Sequence, residues 1–455
     1  MPERAGTALA LTLWLAALGG IAALDDPRLR FPQFLLLASG AIGAWLWISA
    51  RAARGSLPPG TLRVAIVLAL LARLVGIFEA PAFSEDVFRY IYEGRAVWRL
   101  GPGFPFVHAP AEAPGLGLDE LIDGTWLRIN HPHISTIYPP LTQLVFSLAA
   151  GAGELAGGHH LRFIKLGLTG ADLATFWVIV RALERTGRRA EEALVYLLCP
   201  VLVLEVSREG HADSLAAAGL ALGVAGFIGA RPKVGYLGFA LAALAKLNGL
   251  IAALAAARVE RRGLWWPGAV LASLIALPLW LAGPGASTGL VTYGTSWRSG
   301  DGAFSLFLAV AEATLGGDWR DIAGLTVTRH GLARALSAVA FAGGAWWLLR
   351  RPYPAAEIPA QATALLLLLL LLGPTLHPWY VLWLLPLVPF AGRWRAPVIA
   401  LISLSPLAHH ASWLELERGI WTDVGWVRGL IHVPVWVLVV RTLWRNEGDL
   451  TPEAR

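Results

Sequence analysis

The sequence predicts an all-α, polytopic integral membrane protein, and three observations lead there. Of 455 residues, 56% are hydrophobic and only 15% are charged, with a mean hydropathy of +0.59. Soluble domains carry about 25% charged residues, so a soluble chain of this size could not hide the apolar surface. The apolar residues also form runs close to the length of about 20 residues that a helix needs to cross a bilayer. Finally, arginines cluster in the short connections between these runs. The net charge of +6 therefore orients a membrane protein and needs no nucleic-acid partner. Disorder is excluded by the same composition. Cys199 is the single cysteine and lies in an apolar run, so no intrachain disulfide can form. The 21 tryptophans suit interfacial belts.

In chain order, spans are expected near residues 7–24, 31–50, 61–80, 162–183, 192–207, 212–230, 234–258, 265–282, 330–349, 358–373, 379–392, 396–411 and 427–445. The first is read as an anchor span, because no small-residue cleavage site leads into a soluble domain. Clustered basic residues occupy Arg51–Arg54, Arg185–Arg189, Arg231–Lys233, Arg258–Arg262, Arg350–Arg351, Arg393–Arg395 and Arg441–Arg445. The positive-inside rule places these in the cytoplasm. The segments Pro81–Tyr138, Gly283–Arg329, Gly373–Tyr380 and Ala408–Gly425 then face out. The chain reads as one membrane domain, residues 1–455, with outer loops at 81–138 and 283–329.

Two conflicts follow. Both ends of 234–258 are basic, so it must cross twice or not at all; a break near Lys246-Leu247-Asn248-Gly249 into two short helices resolves this. A further apolar stretch, 137–157, is either re-entrant or requires one basic loop outside. The total is about 13 to 15 crossings by the length rule. No fixed-period repeat and no inverted halves are visible, unlike many secondary transporters.

The polar chemistry gathers in five clusters. The first outer loop opens with Ser84-Glu85-Asp86-Val87-Phe88-Arg89-Tyr90-Ile91-Tyr92-Glu93-Gly94-Arg95. Ser84 suits an N-cap, and the two acids suit the positive end of a helix dipole. Asp86, Arg89, Tyr90 and Glu93 share one helical face, with Val87, Ile91 and Trp98 on another. This predicts an amphipathic helix on the outer membrane surface; a merely solvated polar face is the alternative. The same loop ends at Asn130-His131-Pro132-His133 and Tyr138-Pro139-Pro140. His131 and His133 could form half a metal site, but no Cys and no helical His-x-x-x-His accompany them. Ser207-Arg208-Glu209-Gly210-His211-Ala212-Asp213-Ser214 joins two spans with more charge than a turn requires, although Asp213 could simply cap the next helix. Lys246, one of only three lysines, lies in an apolar stretch; it either meets an anion or snorkels. Gly373-Pro374-Thr375-Leu376-His377-Pro378-Trp379-Tyr380 follows the leucine run Leu365–Leu372. Arg298, beside Trp297 in the second outer loop, is either a phosphate contact or a surface anchor. On this topology all five clusters face one compartment, at helix ends and in loops, which suits a reaction site at the membrane–water boundary.

Taken in order, Ser84-Glu85-Asp86-Val87-Phe88-Arg89-Tyr90 to Gly94-Arg95, Ile137-Tyr138-Pro139-Pro140-Leu141, Gly210-His211-Ala212-Asp213, Ala245-Lys246-Leu247 and His377-Pro378-Trp379-Tyr380 resemble bacterial GT-C membrane glycosyltransferases. The likeness is greatest to the polyprenol-phosphate-mannose-dependent mannosyltransferases and covers about residues 60 to 400. It implies an acidic base in the first outer loop, a polyprenyl-phosphate sugar donor and an inverting reaction. A lipid or glycan acceptor, the lipid bilayer and the outer face of a prokaryotic cytoplasmic membrane come with it. No cofactor or metal is implied. Two departures are Glu93, where such enzymes often carry Asp, and Ala212, where they often carry Asn.

The residues fit that chemistry. A transferase needs one base to take the acceptor proton. A hydrolase would need a second carboxyl to protonate a poor leaving group, whereas a lipid phosphate leaves without it if cations hold its charge. Asp86 is the expected base and Glu85 its runner-up. Lys246, Arg298 and His377 are candidates for the phosphate. Arg89, Glu93, Arg95, His131, Tyr138, His211, Asp213 and Tyr380 are further substrate-binding candidates. The main alternative is a transporter or flippase for a lipid-linked or anionic solute, which would have to enlist Lys246, Asp172 and Lys165. An O-antigen ligase or polymerase would have its largest outer loop late in the chain, whereas here it is early.

Overall fold

The computed structural model describes residues 2–261, 268–269, 272–273, 280, 283, 288–322, 324–411 and 425–448. The expected span at 265–282, apart from five of its positions, and most of the outer segment 408–425 lie outside the described residues. The described chain is almost wholly helical. Its exception is an antiparallel hairpin, Trp319–Ile322 with Leu325–Thr328, in the second outer loop.

Among the described residues, seven helices are long and apolar enough to cross a membrane. They match the expected spans at 7–24, 31–50, 61–80, 162–183, 330–349, 358–373 and 427–445. The other described spans are shorter or broken, each for a local reason. The 234–258 run does divide: Pro232–Lys246 and Asn248–Val259 meet at Leu247, whose φ of +60° turns the chain back. The 192–207 run is interrupted around Pro200 and continues as the π-helical turn Leu202–Arg208. Carbonyls freed by that break are taken up from neighbouring helices. Trp14 Nε1 donates to Leu198 O at 2.7 Å, Trp45 Nε1 to Val195 O at 2.8 Å, and Arg73 Nη2 to Leu197 O at 3.1 Å. Trp14 and Trp45 are thus fully buried and serve the interior, not an interfacial belt. The 379–392 run is two 3-10 segments, Pro378–Trp383 and Leu385–Phe390. Their rise of about 2.0 Å per residue lets a short segment cover about 26 Å.

Close packing of Asp213–Ile228 on Pro232–Lys246 rests on a glycine seam. A Cβ on Gly219 would lie 2.5 Å from Ala242 N, and one on Gly238 would lie 2.2 Å from Gly223 N. Small residues let backbones approach where lipid provides no hydrophobic drive.

The 137–157 stretch forms the helix Pro140–Leu155, which runs parallel to Asp86–Leu100. Tyr90 stacks on Phe146 at 4.3 Å, Trp98 lies over Gly151, and Arg99 pairs with Glu154. Both ends of this helix therefore stay with the first outer loop. Gly94 permits the contact, since a Cβ there would sit 2.4 Å from Phe146 O. The Asp86–Leu100 helix is consequently buried from Val87 to Ala96 on both faces. A solvated polar face does not describe it: its polar residues are covered by the rest of the first outer loop and by Pro140–Leu155, while Trp98 and Leu100 at its end are exposed.

The expected charges of a transport pathway are used internally. Arg73 Nε meets Asp172 at 2.5 Å, and Lys165 Nζ donates to Glu79 O at 2.6 Å, closing the C-terminus of Thr61–Phe78.

Candidate active site

At the end of the bundle where Phe78, Asp213 and Lys246 lie, the first outer loop, the second outer loop and the 373–380 segment surround a cavity of about 610 Å³. Nine sequence-predicted residues line it: Glu85, Asp86, Arg89, His131, Tyr138, Lys246, Arg298, His377 and Tyr380. Four do not: Glu93, Arg95, His211 and Asp213 stand behind the wall and hold it.

Asp86 opens its helix, with Glu85 in the cap position; Ser84 Oγ accepts the Asp86 amide at 3.2 Å. The approach to Asp86 is held by Glu209, whose carboxylate accepts the amides of Ala82, Phe83 and Ser84 at 2.8–3.1 Å. Asn130 Nδ2 donates to Asp86 Oδ1 at 3.0 Å. The other Asp86 oxygen has no hydrogen-bond partner among the described residues. Glu85 is exposed, and Asp86 is half-buried at the cavity wall.

Arg89 is a staple, not a free cation. It donates to Asn130 O, His131 O and Ile134 O at 2.7–3.0 Å and reaches Glu93 at 3.3 Å. Glu93 in turn accepts from Thr136 Oγ1 at 2.8 Å and Gln143 Nε2 at 2.5 Å. Burial raises the Glu93 pKa, against the pull of Arg89. Arg95 ties down Asp123 and Glu120 O, both at 2.6 Å. These three side chains fold the loop that carries Asn130 and His131. Burial, with Arg89 and His133 near, holds the His131 imidazole below its usual range. His131 also meets the Trp297 ring edge-on at 4.5 Å, linking the two outer loops.

Lys246 lies opposite and is not a lone ammonium. Its Nζ donates to Asp213 Oδ2 at 3.2 Å, and Trp383 Nε1 donates to Asp213 Oδ1 at 2.7 Å. The Lys246 ammonium also faces the rings of Tyr138 at 5.7 Å and Tyr380 at 5.1 Å. Arg298 is paired too: Asp301 accepts at 2.9 Å and Ser305 Oγ at 3.1 Å. Ser299 and Thr375 form a parallel bridge that joins the second outer loop to the 373–380 segment. Tyr293 and Tyr380 share a hydrogen bond between their hydroxyls.

His211 lies one layer back. It stacks on Trp379 at 3.7 Å, and Trp379 stacks on His377 at 4.5 Å. Glu205 holds His211 at 3.1 Å and His410 at 3.2 Å. Four contributors were not identified from sequence as site residues: Asn130, Glu209, Glu205 and Arg28. Asn130 and Glu209 belong to polar clusters that the sequence itself displays. Glu205 sits inside an apolar run, an intramembrane charge that the same rule as for Lys246 would have flagged. Arg28, at the cavity mouth, gave no signal.

Beside this cavity lies a second, apolar one of about 320 Å³. It shares Ile137, Tyr138, Lys246, Tyr293 and Tyr380 with the first and is lined otherwise by residues such as Leu290, Leu369 and Leu370.

Fold and site together define a polytopic helical membrane protein with a polar reaction chamber at one end of the bundle, open to an apolar groove. Residues 5–260 match the MptA_B family, described as alpha-(1->6)-mannopyranosyltransferase, N-terminal domain. The match spans more than half of the chain, and the chain belongs to this family: it is a membrane mannosyltransferase of the GT-C type. No curated protein and no solved structure matches it.

Proposed function

We propose that this enzyme transfers mannose from a polyprenyl-phosphate donor to a glycan or glycolipid acceptor, with inversion, at the outer face of a prokaryotic cytoplasmic membrane. The family's description as an alpha-(1->6)-mannopyranosyltransferase supports an α-(1→6) bond as the product. The observation that carries the reading is the juxtaposition of Asp86 and Lys246 on one cavity, with the apolar groove meeting that cavity at Lys246. A lipid-linked sugar has matching parts: a mannosyl group for the polar chamber, a phosphate at the junction and a prenyl chain for the groove.

In the proposed reaction an acceptor hydroxyl attacks the anomeric carbon as the bond from that carbon to the phosphate oxygen breaks. Asp86 takes the hydroxyl proton. Asn130, bonded to one Asp86 oxygen, aims the other at the acceptor. The bond electrons leave with the polyprenyl phosphate, whose charge is held by Lys246 and Arg298. Each of these cations rests on a carboxylate and exchanges it, wholly or in part, for the donor phosphate. One displacement with one base gives inversion. Glu93, Arg95, His211 and Asp213 act as positioning residues behind the wall. A transport pathway is disfavoured because Asp172 is paired with Arg73 and Lys165 donates to the carbonyls of Gly76 and Glu79.

Asp86→Asn preserves size and removes basicity. With purified protein and radiolabelled polyprenyl-phosphate mannose, transfer should fall about 10² to 10⁴-fold, the usual worth of a general base, with unchanged thermal stability. Near-normal transfer would remove Asp86 from its role. For the face, in a Cys199→Ser background, Gly115→Cys should react with an impermeant thiol reagent on intact cells and Ala356→Cys should not. The reverse pattern would invert the orientation.

A further inference from the structure

The far end of the bundle holds a second polar pocket, one that the transfer reaction does not use. Between the helices Arg329–Leu349 and Ile358–Leu372 the chain turns through Arg350-Arg351-Pro352-Tyr353. There Arg350, Arg351, Arg393, Glu357 and Gln361 line a pocket of about 180 Å³. Three guanidiniums thus face one carboxylate. Among the described residues, no carboxylate comes within ion-pair distance of Arg350, Arg351 or Arg393.

The pocket is built, not a frayed surface. Tyr353 Oη donates to Ala255 O at 2.7 Å, and Arg258 Nε donates to Leu349 O at 3.1 Å, so the turn is tied to the neighbouring helix from both sides. Arg350 lies over the rings of Trp346 and Trp347 at 5.7 and 5.4 Å, and Arg393 over Trp394 at 5.3 Å. Gln361 is 5% exposed, and its Oε1 is buried without a hydrogen-bond partner. A buried acceptor of this kind is uncommon and calls for a donor.

These features specify a ligand with two properties: an anion for three forked guanidiniums, and a hydroxyl donor for Gln361 Oε1. The place adds a third. Trp346 and Trp444, on the two long apolar helices beside the pocket, are 66% and 76% exposed, and Leu443 forms part of the lining. A ligand here lies against hydrocarbon. We propose that this pocket binds the phosphodiester headgroup of an anionic, hydroxyl-bearing glycerophospholipid, with phosphatidylglycerol as the simplest example. On the orientation proposed above, that lipid belongs to the cytoplasmic leaflet. Basic pockets between membrane helices on that side suit such headgroups. Arginine, with its planar fork, suits the phosphodiester better than lysine would.

The test uses full-length protein, delipidated in detergent and titrated with phosphatidylglycerol, phosphatidylcholine or soluble glycerol phosphate. Bound adducts are counted by native mass spectrometry. The wild type should retain phosphatidylglycerol at least about tenfold better than phosphatidylcholine, and each arginine should account for about fivefold. Arg350→Gln with Arg351→Gln and Arg393→Gln should abolish the preference while mannosyl transfer from added donor persists. If that triple variant fails to fold, Arg351→Gln and Gln361→Leu, made singly, decide the matter: each should lower phosphatidylglycerol retention and leave phosphatidylcholine unchanged. Equal retention of the two lipids by the wild type, or a preference that survives these substitutions, would overturn the proposal. Glycerol phosphate that competes as well as the lipid would overturn the lipid assignment in favour of a soluble anion.

Discussion

The two ends of the bundle treat charge in opposite ways. At the cavity end the cations already have buried carboxylates: Lys246 with Asp213 at 3.2 Å, Arg298 with Asp301 at 2.9 Å, Arg89 with Glu93 at 3.3 Å. At the arginine end, Arg54, Arg350, Arg351 and Arg393 have no ion pair among the described residues, and Arg189 settles on the carbonyls of Ala52 and Ala53 at 3.2 and 3.3 Å. Ion pairs exist there too, but each keeps at least one partner in contact with solvent: Arg181–Glu184 is exposed, and Arg51–Glu3 and Arg188–Glu192 are part-buried. The difference is one of dielectric. A solvated guanidinium needs no carboxylate from the protein; it keeps its loop out of the bilayer and stays open to a lipid phosphate. A half-buried ammonium held beside a buried carboxylate is paired while it waits for a substrate, so the donor phosphate must displace that carboxylate or join it.

The largest test of this contrast is Lys246. An isolated reading of the sequence expects Lys246→Met to be structurally silent, since an apolar residue belongs in an apolar run. The pairing with Asp213 reverses that expectation. Lys246→Met leaves a fully buried carboxylate without its cation, a loss of about 3 to 5 kcal/mol, to be read from thermal unfolding in detergent. Adding Asp213→Asn should restore much of the stability and none of the transfer. Arg54→Gln at the other end should stay within about 0.5 kcal/mol of wild type. If Lys246→Met and Arg54→Gln proved equally mild, the contrast between the two ends would fail.

Glu209 sharpens the comparison, because it is a buried charge whose partners are amides. Glu209→Gln removes the charge from the cradle that holds Ala82, Phe83 and Ser84. Hydrogen bonds to charged groups are worth about 1.5 to 3 kcal/mol, and the loosened segment is the one that aims Asp86. Turnover should fall about 10- to 100-fold, with donor binding, measured separately, nearly unchanged. A variant that loses donor binding and keeps turnover would place Glu209 in a different role.

The smallest effect concerns His131. Its pKa is held below the unfolded value, so the unfolded chain binds the proton more readily between the two values. Stability from this group is present above the unfolded pKa of about 6.5 and is lost as pH falls toward the folded value. The drop in melting temperature between pH 7.5 and 5.5 should be smaller in His131→Gln than in wild type. An unchanged drop would show that His131 is not the group responsible.

How much of this was legible from residues alone differs from element to element. The helical membrane class, the division at Leu247 and the cluster motifs that reach the cavity could all be read along the chain. Composition, run length and arginine placement are local properties, and the bilayer imposes the same conditions on every span. What each charged residue does could not be read that way. Arg89, Glu93 and Arg95 carry the same charges as a phosphate clamp would, yet they staple the first outer loop. Lys246 looked unpaired because Asp213 lies 33 positions earlier in the sequence, at the start of another helix. The Asp86–Leu100 helix has an amphipathic pattern, but Pro140–Leu155 and the loop bury both of its faces. Composition and run length set the solvent in which this protein folds and the elements that fit it. Packing assigned which charges are satisfied internally and which face the chamber, because a buried charge is governed by whatever lies within a few ångströms of it, and that distance depends on segments remote in the chain.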